Sequence, residues 1–216
     1  MKTDADLKRD VEAELSWEPS IRSTAIGVAV KDGVVTLTGH IETYAEKYAA
    51  EKVLRRIAGV KAIALELDVR LSPQHRRSDT DIAVAAEQSL KWNTLVPDQV
   101  RLTVDHGWIT LRGEVDWDYQ RRAVFKAVRA LTGVVGVSNE IRIRQRATPQ
   151  RLASRIEEAL KRHAVREAHK VHIDVADGCV TLRGTVQSLR EREAVQGAAF
   201  SADGVRAVVN ELRVGT

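Results

Sequence analysis

Apolar residues recur along this chain with two alternating periods, and the same succession of periods is written three times. Leu7, Val11 and Leu15 fall four apart, as do Ile82, Ala86 and Leu90, and then Leu152, Ile156 and Leu160, each set separated by charged or polar positions. That spacing predicts an amphipathic helix at the head of each unit. Strict alternation follows: Ile26, Val28, Val30; Val100, Leu102, Val104; Val171, Ile173, Val175. After a two-residue break come Val35 and Leu37, Ile109 and Leu111, Val180 and Leu182. Period two on both sides of a short turn predicts a β-hairpin.

The breaks are Asp32-Gly33, His106-Gly107 and Asp177-Gly178, pairs suited to the positive φ angles of a tight, twisted hairpin turn. A second helical stripe then appears: Ala49, Ala50, Val53, Leu54, Ile57; Ala123, Val124, Ala127, Val128, Leu131; Ala194, Val195, Ala198, Ala199, Ala202. Thr43 and Ser188 open two of these helices with Glu46 and Glu191 three residues on, the pattern of a reciprocal capping box. Thr148 before Pro149 reads as the start of the third unit's first helix. Gly59, Gly133 and Gly204 stop the second helices as left-handed caps. A last strand carries Ile63, Leu65, Leu67 and Val69, matched by Val137, Ile141, Ile143 and by Val208, Leu212, Val214.

The fold class expected is α+β: three tandem α-β-β-α-β repeats over 1–71, 78–145 and 148–216. Each would be a three-stranded mixed sheet with two helices on its apolar face and a polar outer face. Gly33, Gly107 and Gly178 are spaced by 74 and then 71 residues, and Gly39, Gly113, Gly184 and Gly59, Gly133, Gly204 keep the same spacing, so nine glycines serve turns and caps. The longer connection at 72–79 predicts more freedom for the first unit than for the closely joined second and third.

Composition changes this picture little. The net charge of +4 lacks the basic stripe of a nucleic-acid binder, so no nucleic-acid partner is expected. Cys179 is the single cysteine and has no internal disulfide partner. The charged start contains no apolar signal-like run and no stretch approaches a bilayer span, so a cytoplasmic, at most peripheral, protein is expected.

Reactive chemistry is absent from the recurring positions: no phosphate-binding loop, dinucleotide fingerprint or nucleophile elbow occurs. No catalytic, cofactor-binding or metal-binding residue is assigned. His163, His169 and His172 lack the helical spacing and accompanying ligands of a metal set. The candidates that remain are for binding. Trp17 and Trp92 follow Leu15 and Leu90 by two positions, which turns them away from the buried stripe. With Lys91, and with Lys161 and Arg162 at the matching place in the third unit, they suit a headgroup interface. The alternative is a tryptophan folded over its helix end against the next strand or a neighbouring unit. Trp108 lies on the outward parity of its strand, where contact between units is expected, with Trp117 and Tyr119 in the same contact. Asn139 and Asn210 have inward parity and are expected to bond nearby loop backbone.

The hairpin reading V-x-x-G-x-V/I-T-L-x-G, followed by a charged helix and G-V-x-x-V-x-N-E-L/I-x-V at 133–143 and 204–214, resembles the BON domain. The family is named for bacterial OsmY and nodulation proteins, and the resemblance covers nearly the whole chain as three copies. Leu65 stands in the first unit where Asn139 and Asn210 stand in the others. The resemblance implies a non-enzymatic module associated with phospholipid surfaces, the cell envelope and osmotic or other stress. An anionic phospholipid surface is the first reading; a protein partner, or another copy of the chain, is the second.

Overall fold

In the computed structural model, residues 2–144, 152–162 and 171–215 are described, with side chains through 159 in the middle segment. The first unit runs α1 (Asp4–Trp17), β1 (Ile26–Lys31), β2 (Val34–Ile41), α2 (Tyr44–Arg56) and β3 (Ala62–Val69). The second runs α3 (Asp79–Lys91), β4 (Arg101–Asp105), β5 (Trp108–Arg112), β6 (Glu114–Val115), α4 (Asp118–Val128), β7 (Gly136–Asn139) and β8 (Arg142–Ile143). The third has α5 (Leu152–Arg162), β9 (Val171–Ala176), β10 (Cys179–Val186), α6 (Leu189–Phe200) and β11 (Ala207–Val214).

The protein is thus α+β, with mixed three-stranded sheets. In each sheet the second hairpin strand lies in the middle, antiparallel to the strand before it and parallel to the one delivered by the second helix. In the second unit the ladder breaks after β5 and β7, but Glu140 N–H to Leu111 O at 2.8 Å and Arg142 N–H to Gly113 O at 3.0 Å carry it into the β6–β8 pair.

The nine glycines all have positive φ. At the turns, Asp32 at 53° and Gly33 at 80° give the twist that matches the flanking strands. Gly39 serves another need: a Cβ there would stand 2.2 Å from the Ala25 carbonyl oxygen, because the centre strand runs against the start of β1.

Capping differs from expectation. Thr43 and Ser188 accept from the amides of Glu46 and Glu191 at 3.1 Å, but neither glutamate completes a reciprocal box. Glu191 accepts from Gln187 N–H, and Glu46 is buried with its two oxygens on Arg22 N–H at 2.7 Å and Glu42 N–H at 3.1 Å. These carboxylates reach past the cap to the incoming chain, tying the helix start to the strand end. Reciprocal boxes form instead at the first helices, Thr3 with Asp6 and Ser78 with Asp81. The neighbouring Asp4 and Asp79 accept both amides of the hairpin turn in their own units, Asp32 and Gly33, His106 and Gly107, at 2.8 to 3.1 Å. Thr148 and Pro149 lie outside the described residues.

Three apolar clusters form, one per unit, each joining both helices to the inner face of a sheet. They are not isolated. Leu189 of α6 is buried in the first cluster, Ile143 packs on both the second and third, and Tyr44 of α2 packs on the second unit's cluster. The expected freedom of the first unit is therefore overturned, since α2 touches both neighbours. The Tyr48 ring is tilted against that of Phe125 of α4 at 5.8 Å, the Arg129 guanidinium lies 3.7 Å above the Tyr48 ring, and Arg55 pairs with Glu193 of α6. Arg121 of α4 lies 5.0 Å over Phe200, which is buried. The expected stripe of α6 is corrected accordingly: Ala194 is exposed, and the buried face runs through Val195, Ala199 and Phe200 because the neighbouring unit covers its end.

Candidate functional site

The apolar stripes of α1 and α3 dictate where their last residues point. Leu7, Val11 and Leu15, and Ile82, Ala86 and Leu90, are buried on the sheets. Trp17 and Trp92 come two residues later, about 200° further round the helix, and are 86% and 89% exposed. Neither folds back over its helix end. Exposed indoles are costly in water, as each carries about 150–250 Å² of largely apolar surface.

Their charge settings differ. Lys91 Nζ lies 2.9 Å from Glu87 Oε1, a pair with both partners well exposed. This bond from Lys91 holds the Glu87 carboxyl below its usual range. Such a pair exchanges readily with solvent or another anion. The last turn of α1 has no basic residue, and Glu18 beyond it approaches Arg56 at 3.8 Å. The side chains of Lys161 and Arg162 lie outside the described residues. The structure thus exposes both tryptophans and places a lysine beside one.

Trp108 is not the contact between units that its parity predicts. Its Nε1–H donates to Ser138 Oγ at 2.9 Å, and its ring lies over Gly136, where an added Cβ would meet ring carbons at 2.4 Å. It covers its own sheet and keeps 48% exposure. Trp117 is half-buried, with its backbone N–H on Gln120 Oε1 at 3.0 Å, and Tyr119 is exposed. Among the described residues, the aromatic contacts that join units include instead Tyr48 with Phe125 and Arg129, and Phe200 under Arg121, residues with no common register in the sequence.

Asn139 and Asn210 bond backbone, but the carbonyls are those of a helix rather than of a loop. Asn139 Nδ2 donates to Arg121 O at 3.3 Å and its Oδ1 accepts from Ile141 N–H at 3.2 Å. Asn210 repeats this with Arg192 O and Leu212 N–H. Where the first unit has Leu65, Lys47 Nζ makes the strand-to-helix bond to Leu67 O at 2.8 Å. His172 is exposed on β9, whereas His163 and His169 lie outside the described residues. Among the described residues no group of three or more His, Cys, Asp or Glu gathers, and no helix is long and apolar enough to cross a membrane.

One feature is absent from the sequence reading: a groove of about 690 Å³ between α3 and the edge strand β4, open beside Lys91. Its signal is visible in retrospect. Ala83 and Val84 stand on α3 where α1 has Lys8 and Arg9.

Comparison with known proteins gives three matches to a family model described as the BON domain, over residues 3–70, 78–145 and 149–216. The "Osmotically-inducible protein Y" of Escherichia coli (strain K12) is 28% identical over 144 residues, which cover 64% of this chain and 72% of that protein. Among solved structures, the C-terminal domain of CdsD, a structural protein of the type III secretion system of Chlamydia trachomatis, aligns over 100% of both chains at 16% identity with a TM-score of 0.27. The PrgH periplasmic domain aligns over 88% of this chain and 95% of its own at 12% identity with a TM-score of 0.22.

Proposed function

The chain belongs to the BON domain family, and from that premise we propose a non-enzymatic, stress-related binding protein that attaches peripherally to anionic phospholipid surfaces through the ends of its first helices. The observation that carries the reading is the exposure of Trp17 and Trp92 at matching helix ends. The name of the E. coli relative supports the association with osmotic stress.

At about 25 cal/mol per Å², sinking half of a ring of about 200 Å² is worth about 2.5 kcal/mol. A lysine near an anionic surface adds about 1 kcal/mol. Either site alone is weak, and two on one chain act together by raising effective concentration. The α3 end, with Lys91, leads; the α1 end lacks a cation in its last turn.

Co-sedimentation with vesicles of phosphatidylglycerol and phosphatidylcholine, across ionic strength, tests this. Binding is expected to need the anionic lipid, to weaken with salt and to move tryptophan emission to shorter wavelength. Trp92→Ala should reduce partition at least tenfold and Trp17→Ala less. Unchanged partition in the double variant overturns the site. Protein recruitment is the second reading, favoured by the open edge of β4 beside its groove.

A further inference from the structure

Beyond the membrane reading, and without resting on it, we propose that the α3–β4 groove of the second unit binds an extended peptide segment ending in an apolar residue with a free carboxylate, added as a strand to β4. Three features of the fold converge there.

The first is the open edge. β4 pairs with β5 on one side and is the outer strand of its sheet. The two-residue turn makes Asp105 and Trp108 the closing hydrogen-bonded pair, so Arg101, Thr103 and Asp105 turn their backbone groups to β5. Leu102 and Val104 therefore turn two N–H and two C=O groups outward, a template for another strand.

The second is an apolar surface where the fold does not require one. Val84 on α3, which lines the groove, is 50% exposed. The corresponding helix position is Arg9 in α1 and Ser154 in α5. In the first unit Ile21, four residues past Trp17, is 8% exposed and fills the space between helix and strand. In the second, Val96 stands four residues past Trp92 and is only half-buried, which leaves the groove open between Ala83, Val84, Leu102 and Val104.

The third is charge. Arg101 lines the same groove; of the carboxylates that also line it, Asp79 accepts from the turn amides, Glu87 pairs with Lys91, and Asp98 lies beside Arg101. The Arg101 guanidinium donates to carbonyls, Asp98 O at 3.1 Å and Val100 O at 3.4 Å, with no carboxylate partner among the described residues. A peptide antiparallel to β4 brings its carboxy terminus to the Arg101 end. Its last side chain and the one two before it then fall on the groove side, following the period of a strand. An acyl chain would also fill the apolar space, but it leaves the four outward peptide groups unsatisfied; a strand satisfies them.

The test is fluorescence anisotropy of the full chain with a fluorescein-labelled pentapeptide of alternating valine and threonine, valine last, with a free carboxylate. Saturable binding below about 1 mM is expected. Amidating the peptide terminus, or Arg101→Gln in the protein, should weaken it about tenfold, the loss of a charge-assisted bond. Val84→Lys places at this position the kind of residue that α1 carries, so folding is retained, and it should abolish binding. Lack of saturation, indifference to amidation or indifference to Val84→Lys overturns the proposal, as does dodecyl phosphate competing more strongly than unlabelled peptide. Both variants keep Trp17 and Trp92, so vesicle partition measured alongside separates failure here from failure of the membrane reading.

Discussion

If the second helices truly hold the units together, the Tyr48–Arg129 contact has a measurable free energy that neither residue carries alone. Arg129 Cζ stands 3.7 Å from the Tyr48 ring centroid and 5.9 Å from that of Phe125, and the two rings are 5.8 Å apart at 56°. A guanidinium over a tyrosine face is worth about 0.5–1 kcal/mol when exposed and about 2 when desolvated. A tilted aromatic pair at this separation adds about 0.5–1.5 kcal/mol. Tyr48→Leu keeps an apolar side chain and removes both, so a loss of about 1–3 kcal/mol is expected. Arg129→Met keeps the aliphatic stem and removes the cation, for a loss of about 1 kcal/mol. The double variant should lose about 1 kcal/mol less than the sum, because the cation–π contact can be lost only once. Urea unfolding supplies the three differences, and hydrogen exchange locates them. In Tyr48→Leu, protection should fall in α2 and α4 before it falls in the sheets. A coupling within about 0.3 kcal/mol of zero, the range of independent sites, would refute the clamp and return the molecule to three loosely strung units.

Two further outcomes follow from local geometry. Gly39→Ala puts a Cβ 2.2 Å from the Ala25 carbonyl at a φ of 121°; backbone strain of about 1–3 kcal/mol plus displacement of β1 should lower the melting temperature clearly, and a melt unchanged within error would contradict the assigned crowding. The Asp6 and Asp81 carboxyls are held below their usual range, first by the hydroxyls of Thr3 and Ser78, so their caps stabilise fully above about pH 4 and lose that effect as pH falls through the lowered folded values; Asp6→Asn with Asp81→Asn should therefore cost more at pH 7 than at pH 2, and equal costs in thermal melts would exclude the linkage.

The succession of elements was legible because its causes are local. A strand turns every second residue to the core and a helix every third or fourth, so Val35 and Leu37, or Val11 and Leu15, declare their burial by spacing alone. Gly33 declares the turn because few other residues tolerate its φ. Asn139 and Asn210 found backbone partners because their parity brought them against a helix in their own unit. Spacing also marked Trp17 and Trp92 as turned away from the core, but only the folded chain decided that they stay in solvent.

The contacts between units were beyond reach for a physical reason. They join the outer faces of α2, α4 and α6, where no periodicity distinguishes a charge that meets water from one that meets a neighbour's ring. Arg121 over Phe200, Arg129 over Tyr48 and Leu189 in the first core arise from three-dimensional proximity of residues far apart in the chain. The groove beside β4 is of the same kind: Val84 reads as an ordinary helix residue until the strand beside it is placed and the space between them is seen to be open.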